Sequence, residues 1–315
     1  MHDAGASTPL PPGGANALAR ALGLLGDEWT LLILRCALLG AKRYSEFRAE
    51  LPISYAVLTS RLETLVRENM MDRHAYQENP IRKEYVLTPR GRSVWAVLVA
   101  IWDWERRWIP EQPEVMAAAV RHRVCGRNFS AVLCCSHCGK RVTVGNVGTR
   151  WGPSGSWPRS VPDATTRRRS PGRSRGERPS FLPETMAVCG NRWSSALVGA
   201  AFQGVGRFTD FQEALCVPPS LLTERLQCLC EHGVLSTVRI PERPDRVEYR
   251  LTDKGRAFFP VIVTVLQWAE RWYHAEEGPA MLWTHRECGA EFRGVLTCDQ
   301  CAGTLRGEDV DVMSR

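Results

Sequence analysis

The chain has 315 residues, 44% of them hydrophobic, which is enough for more than one buried core. Its formal charge of +7 says little about a nucleic-acid partner, because nine arginines against Asp163 and Glu177 between residues 141 and 183 account for all of it. The apolar runs LLILRCALLG, broken at Arg35, and VWAVLVAIW, ended by Asp103, stop short of the roughly 18 to 20 residues of a membrane span, and MHDAGASTPLPPGGA is not a secretory signal, so a cytoplasmic protein without a membrane partner is expected.

Residues 1–14 are small, Pro and Gly residues and read as a disordered arm. A helix follows with Leu18, Leu22 and Leu25 on one side, and GDEW opens another, capped by Asp27, with Trp29, Leu32, Ile33 and Cys36 as its buried stripe and an end near Gly40. Ser45 is the expected cap of a short helix to Glu50 that turns Phe47 and Leu51 inward. Pro52 breaks the chain, and Ser54 caps a helix to Arg67 whose Leu58, Leu62, Leu65 and Val66 recur at i, i+4, i+7 and i+8. An alternating basic ribbon comes next, with Arg73, His74, Arg82 and Lys83, a turn at Asn79-Pro80, and Tyr85 and Leu87 on the return strand. Thr88 caps a helix over Gly91 to Trp108. It carries Trp95, Leu98, Trp102 and Trp108, more aromatic surface than one small domain can bury, so a second helical unit should cover it. Helix, tight turn, helix and two-stranded ribbon outline a winged helix-turn-helix.

From 143 to 180 the composition shifts to Gly, Ser, Pro and Arg, the signature of a disordered linker. Beyond it the chain repeats at an offset of 164: GDEW matches GNRW, LTSRLETL matches LTERLQCL, EYVLTPRGR matches EYRLTDKGR, and Trp104 and Trp108 match Trp268 and Trp272. The expected fold class is mainly α with small β wings: tandem winged helix-turn-helix domains at 15–112 and 181–276, each followed by a small zinc-ribbon-like β hairpin module, at 113–142 and 277–306, with a tail at 307–315.

These blocks, in this order and twice over, resemble the HxlR family of bacterial winged helix-turn-helix regulators. The resemblance implies double-stranded DNA as partner and pairing of two units through terminal helices. Here both units lie in one chain, so an intramolecular pseudo-dimer is expected, with Trp102, Trp108, Trp268 and Trp272 at or near the shared surface and a further homodimer left open. Ser54, Tyr55, Ala56, Thr59 and Ser60 would approach base edges, while Arg61, Arg82 and Lys83 reach phosphates. The second copy offers Pro219, Ser220 and Thr223, then Arg225, Arg243 and Arg246. Pro218 has replaced the capping Ser54, and Glu224 and Glu231 stand where copy one has Ser60 and Arg67, so the two halves should read DNA unequally.

After each winged helix lies a second repeated signature, His122-x2-Cys125-x9-Cys135-x2-Cys138 and His285-x2-Cys288-x9-Cys298-x2-Cys301. Knuckles of two ligands on facing hairpins give a tetrahedral Cys3His site, expected here once within each copy and occupied by structural zinc, up to two ions in all. Gly126, Gly139 and Gly289 supply the tight turns. Cys36, Cys189 and Cys230 read as core, with Cys134, Cys216 and Cys228 spare. The chain has no phosphate loop, dinucleotide fingerprint or supported nucleophile-base pair, so no enzyme is expected. A sequence-specific transcriptional regulator is the first expectation, with its small-molecule effector unknown. The alternatives are a protein-interaction scaffold whose second winged helix has left DNA, and a thiol or metal sensor with DNA binding as output.

Overall fold

The computed structural model describes residues 7–78, 81–109, 119–162, 181–240 and 243–313. A short strand, β1 (Thr8–Pro9), precedes helices α1 (Ala17–Leu25) and α2 (Glu28–Leu38), which begin where the sequence supplies an acceptor: Asn16 Oδ1 takes the Ala19 amide at 3.1 Å and Asp27 Oδ1 the Thr30 amide at 2.9 Å. Helix α3 (Tyr44–Glu50) starts one residue before Ser45, which therefore is not its cap; Glu46 Oε2 reaches back to the Lys42 and Arg43 amides at 2.7 and 2.9 Å instead. Helix α4 (Tyr55–Arg67) buries Leu58, Leu62 and Leu65 completely, and Ser54 Oγ accepts from the Val57 amide at 3.4 Å. Strands β2 (Met71–Glu78) and β3 (Ile81–Leu87) form the wing; the expected Asn79-Pro80 turn lies outside the described residues.

The helix expected over Gly91 to Trp108 is two, α5 (Pro89–Arg92) and α6 (Trp95–Trp108). A Cβ on Gly91 would stand 2.0 Å from the Met70 carbonyl oxygen, so this turn is pressed onto the base of the wing and the chain bends before the long helix departs. The first tail then runs β4 (Ala119–His122), β5 (Arg127–Asn128), β6 (Ala131–Cys135) and β7 (Val147–Trp151), with a single turn α7 (Trp157–Ser160). The second copy follows as α8 (Pro183–Cys189), α9 (Arg192–Phe202), α10 (Phe208–Leu215), α11 (Pro219–Glu231), wing strands β8 (Leu235–Ile240) and β9 (Arg243–Leu251), α12 (Asp253–Ala257) and α13 (Phe259–Trp272). Its tail is β10 (Tyr273–His274), β11 (Met281–His285), β12 (Gly294–Cys298) and β13 (Val310–Met313). No helix among the described residues is long and apolar enough to cross a membrane.

Helices α6 and α13 pack on each other, and α1 runs against α13 where the small buried residues Ala17, Ala21 and Ala269 permit close approach. The contacts are reciprocal. Trp104 Nε1 donates to the Lys254 carbonyl at 3.0 Å, and its repeat equivalent Trp268 donates to the Arg90 carbonyl, the equivalent of Lys254, at 3.3 Å. Trp272 donates to Ser93 Oγ at 2.8 Å. Trp104 is 3% exposed, while Trp102 is half-buried under the Arg106 guanidinium at 4.7 Å and lines a pocket with Leu182, Gly307 and Val310 of the second copy. The position equivalent to Ser93 is Ala257, and Trp108 Nε1 is buried with no hydrogen-bond partner among the described residues.

The tails interlock. Strand β6 pairs antiparallel with β12, Leu133 opposite Leu296, and these two residues are themselves repeat equivalents at an offset of 163, so a local two-fold passes between them. Strand β4 pairs with β13, His122 opposite Val310, and β11 pairs with β7, His285 opposite Val147. Each tail is completed by strands of the other copy, not folded as a separate hairpin module. Two stretches expected to be disordered therefore carry strands: the arm supplies β1, parallel to β10, and residues 143–162 supply β7 and α7; the tail after 307, for which no element was expected, supplies β13. Their apolar residues find no local core, but Leu10 and Val147 are buried against residues distant in sequence. Residues 163–180 of the expected linker lie outside the described residues.

Candidate metal centres and nucleic-acid interface

All eight residues of the Cys/His signature come together, in two groups whose ligand atoms lie within 4.8 Å of one another, but the grouping is crosswise: His122 and Cys125 with Cys298 and Cys301, and Cys135 and Cys138 with His285 and Cys288. The expected partition within each copy is thus corrected. Its cause is the strand pairing, since Cys298 stands opposite Ala131, beside the start of β6, while Cys135 ends that strand opposite Gly294. At about 3.3 Å per residue the ends of β6 are about 13 Å apart, too far for both knuckles of one copy to share an ion.

In the first group Cys125 Sγ is 3.5 Å from His122 Nδ1 and 3.9 Å from Cys298 Sγ, and Cys301 Sγ is 3.4 Å from His122 Nδ1. In the second, His285 Nδ1 is 3.2 Å from Cys288 Sγ and 3.4 Å from Cys138 Sγ. A tetrahedron with zinc–sulfur bonds of about 2.3 Å sets sulfurs about 3.8 Å apart and nitrogen about 3.5 Å from sulfur, so the donors fit such an ion. Both histidines are buried, with Phe129 or Phe292 beside the ring, and their Nε2 atoms have no hydrogen-bond partner among the described residues; packing fixes the rings. Knuckle amides face the sulfurs: the Gln300 amide donates to Cys298 Sγ at 3.4 Å, and the Arg127 amide holds the Cys125 thiol below the usual thiol range. Gly126, Gly139 and Gly289 all turn at φ +71, while the fourth knuckle makes the same turn at Ala302, φ 56.

On the first winged helix Ser54, Tyr55, Ala56, Thr59 and Ser60 are exposed along one face of α4, and Arg82 and Lys83 are exposed on β3. Tyr55, 63% exposed, is stacked on Tyr44 at 5.4 Å with the Arg48 guanidinium 4.0 Å from its ring, and Tyr44 Oη donates to the Tyr55 carbonyl at 3.0 Å. Arg48, with Lys42 and Arg43, adds exposed positive charge beside the start of α4, outside the helix and wing on which the sequence pattern places its candidates.

Arg61 is not available to phosphate as expected. It turns inward and holds Asp27 through two bonds, Nε to Oδ1 at 2.8 Å and a terminal nitrogen to Oδ2 at 3.0 Å, tying α4 to the start of α2. Burial works to raise Asp27, but the Arg61 guanidinium outweighs it and holds the carboxyl below its usual range. Arg225, its equivalent, also lies inward at 11% side-chain exposure and pairs with Glu224. In the second copy Pro219, Ser220, Thr223, Glu224 and Glu231 are exposed on α11, Thr223 Oγ1 donates to the Pro219 carbonyl at 2.9 Å, and Arg246 is exposed on the wing. The Arg243 side chain lies outside the described residues.

Of the other cysteines, Cys36 and Cys189 are core, the latter with its thiol pushed up to about 12 by burial; Cys230 is only half-buried. Cys134 is buried within β6, 3.3 Å from Thr297 Oγ1, and Cys216 is exposed.

Residues 24–113 and 188–277 each match the family profile described as HxlR-like helix-turn-helix. The chain is 39% identical over 138 residues to an HTH-type transcriptional regulator of Mycobacterium tuberculosis (strain ATCC 25618 / H37Rv), a match covering 44% of this chain and 87% of the relative, which is therefore about half as long. YvaP, an HTH-type transcriptional regulator of Bacillus subtilis (strain 168), is 38% identical over 89 residues, covering 27% of this chain and 80% of its own. A solved transcription-factor structure from Pseudomonas aeruginosa is 30% identical, covers 46% of this chain and 97% of its own, and superposes with a TM-score of 0.34.

Proposed function

Because the chain belongs to the HxlR-like helix-turn-helix family of DNA-binding transcriptional regulators, we propose that it reads one asymmetric operator as an intramolecular pseudo-dimer, one recognition helix and wing from each copy. The observation that carries this is the reciprocal pair of bonds from Trp104 and Trp268, which makes the contact between copies self-complementary and leaves the outer faces of α4 and α11 exposed. Ser54, Tyr55, Ala56, Thr59 and Ser60 approach base edges, and Arg82, Lys83 and Arg246 take phosphates. Two structural zinc ions, one in each crosswise Cys3His set, stitch the tails together; a closed four-ligand shell leaves no open position for catalysis.

The exposed Glu224 and Glu231 favour a second reading, in which copy two serves as a pairing half only, since carboxylates on that face repel phosphate. A mobility-shift titration against genomic fragments across salt concentrations separates the two. On the first reading Arg82→Ala and Arg246→Ala each reduce the salt slope by about one. An unchanged slope for Arg246→Ala assigns DNA to copy one alone, and no specific complex at any salt concentration rejects the regulator.

A further inference from the structure

A cavity of about 300 Å³ lies between α9, α13 and the β7–β11 sheet, and the equivalent place on the other side of the pseudo-two-fold holds only about 120 Å³. The two correspond by the repeat: Leu31, Trp95, Leu98 and Val310 line the smaller where Ser195, Phe259, Ile262 and Val147 line the larger. The difference in volume follows from the sequence. Arg35 and Trp102 in the smaller are replaced by Gly199 and Leu266, which removes a guanidinium and an indole, and Trp283 in place of Val120 gives back only part of that volume. Nothing in the backbone demands glycine at 199, where an added Cβ would meet the Trp157 ring at 3.6 Å, an ordinary contact.

The walls are flat and aromatic. Trp151 meets Trp157 edge-on at 4.8 Å, and Phe259 lies 6.1 Å from Trp283. Among the described residues the lining holds one charged side chain, Arg286, exposed and in no ion pair there, and Gln203, Ser195 and Thr149 add hydrogen-bonding groups. From these features we propose that the cavity is a binding site for a flat, ring-containing organic anion, its rings against the tryptophan walls and its acidic group toward Arg286. The volume is at the small end of small-molecule sites, and an apolar wall with few polar groups and one cation is the usual composition of such a site. Helix α9 packs on the recognition helix α11, so an occupant that shifts α9 alters the second reading head; that consequence rests on the regulator proposal, whereas the binding does not.

The test uses the full chain and the aromatic anion 8-anilinonaphthalene-1-sulfonate, followed by fluorescence and by thermal shift. One saturable site and a raised melting temperature are expected. Gly199→Leu and Leu266→Trp, which fill the space at the positions that Arg35 and Trp102 fill in the other copy, should each weaken binding about tenfold or more, and Arg286→Ala about threefold, while Gly199→Ala binds nearly as the parent. Dye binding without saturation, or with equal affinity in both filled variants, overturns the site. A mobility-shift assay run in parallel keeps the readings apart, because failure to bind DNA rejects the regulator and leaves the dye result standing.

Discussion

The crosswise grouping of the ligands can be tested by counting metal. Emptying copy one of its own signature, with His122→Ala, Cys125→Ser, Cys135→Ser and Cys138→Ser together, takes two ligands from each group, and two remaining donors do not hold structural zinc. The expected content falls from two ions per chain to none. Emptying one group instead, with His122→Ala, Cys125→Ser, Cys298→Ser and Cys301→Ser, should leave one ion. If each copy closed its own site, the two results would be exchanged. Such a site would need the knuckles at the two ends of β6 to meet, although the strand holds them about 13 Å apart and coordinated sulfurs stand about 3.8 Å apart. The energetic counterpart is a loss of about 2.7 kcal/mol per site when free zinc is a hundred times the dissociation constant. Elemental analysis of the purified variants gives the count and urea unfolding with and without added zinc gives the energy. One ion in the first variant and none in the second would refute the crossed arrangement.

Burial pushes Glu105 up to about 7, although its Oε1 accepts the Thr185 amide at 2.7 Å. A carboxyl whose folded pKa is raised contributes fully below its unfolded value and loses that contribution as pH rises through about 7, so wild type should lose roughly 2 kcal/mol more than Glu105→Gln between pH 5 and pH 8; parallel stability curves would count against it. Ala302→Gly relieves a left-handed turn that glycine makes in the other three knuckles and should stabilise the chain by about 0.5–1 kcal/mol in urea unfolding. Ala257→Ser offers Trp108 the hydroxyl that Ser93 offers Trp272, for about 1 kcal/mol, with no gain expected only if the indole already reaches water. Arg61→Gln should cost roughly 3 kcal/mol by leaving Asp27 buried without its cation, yet leave the salt slope of DNA binding unchanged; a slope reduced by about one would return Arg61 to the phosphates.

Local patterns in the sequence were strong wherever one element decides its own geometry. The i, i+4, i+7 leucines of α4 and the caps at Asp27, Ser54 and Thr88 are all found in place, because a helix face and its first turn are written in consecutive residues. Arg61 shows the limit of that legibility. It falls on the same helix face pattern as a phosphate contact would, and only the tertiary approach of Asp27, 34 residues earlier, claims it. The metal ligands show the same limit: spacing identified all eight, but which pairs meet depends on β6 choosing β12, and an internal repeat offers each strand two chemically similar partners. Strands β1, β7 and β13 escaped notice for a related reason, since two to five residues that pair only with distant strands carry almost no periodicity of their own.

Fusion of the two copies has a physical consequence for their divergence. In a two-fold homodimer each interface residue occurs twice, so a substitution acts at both equivalent places at once. In a single chain the two places are independent. Glu105 meets Thr185 on one side, where the equivalent pair on the other is Ala269 and Ala21, and α1 lies close along α13 there. Ser93 accepts from Trp272 while Ala257 offers Trp108 no hydroxyl, and Arg35 fills a space that Gly199 leaves open. The outer faces of α4 and α11 differ in the same manner, with Ser60 and Arg67 against Glu224 and Glu231, and Tyr55 against Pro219. The reciprocal tryptophan bonds and the crossed tails keep the common frame, because both join residues of opposite copies. Divergence is therefore tolerated at the cavity and on the outer helix faces, where one copy can change without the other following.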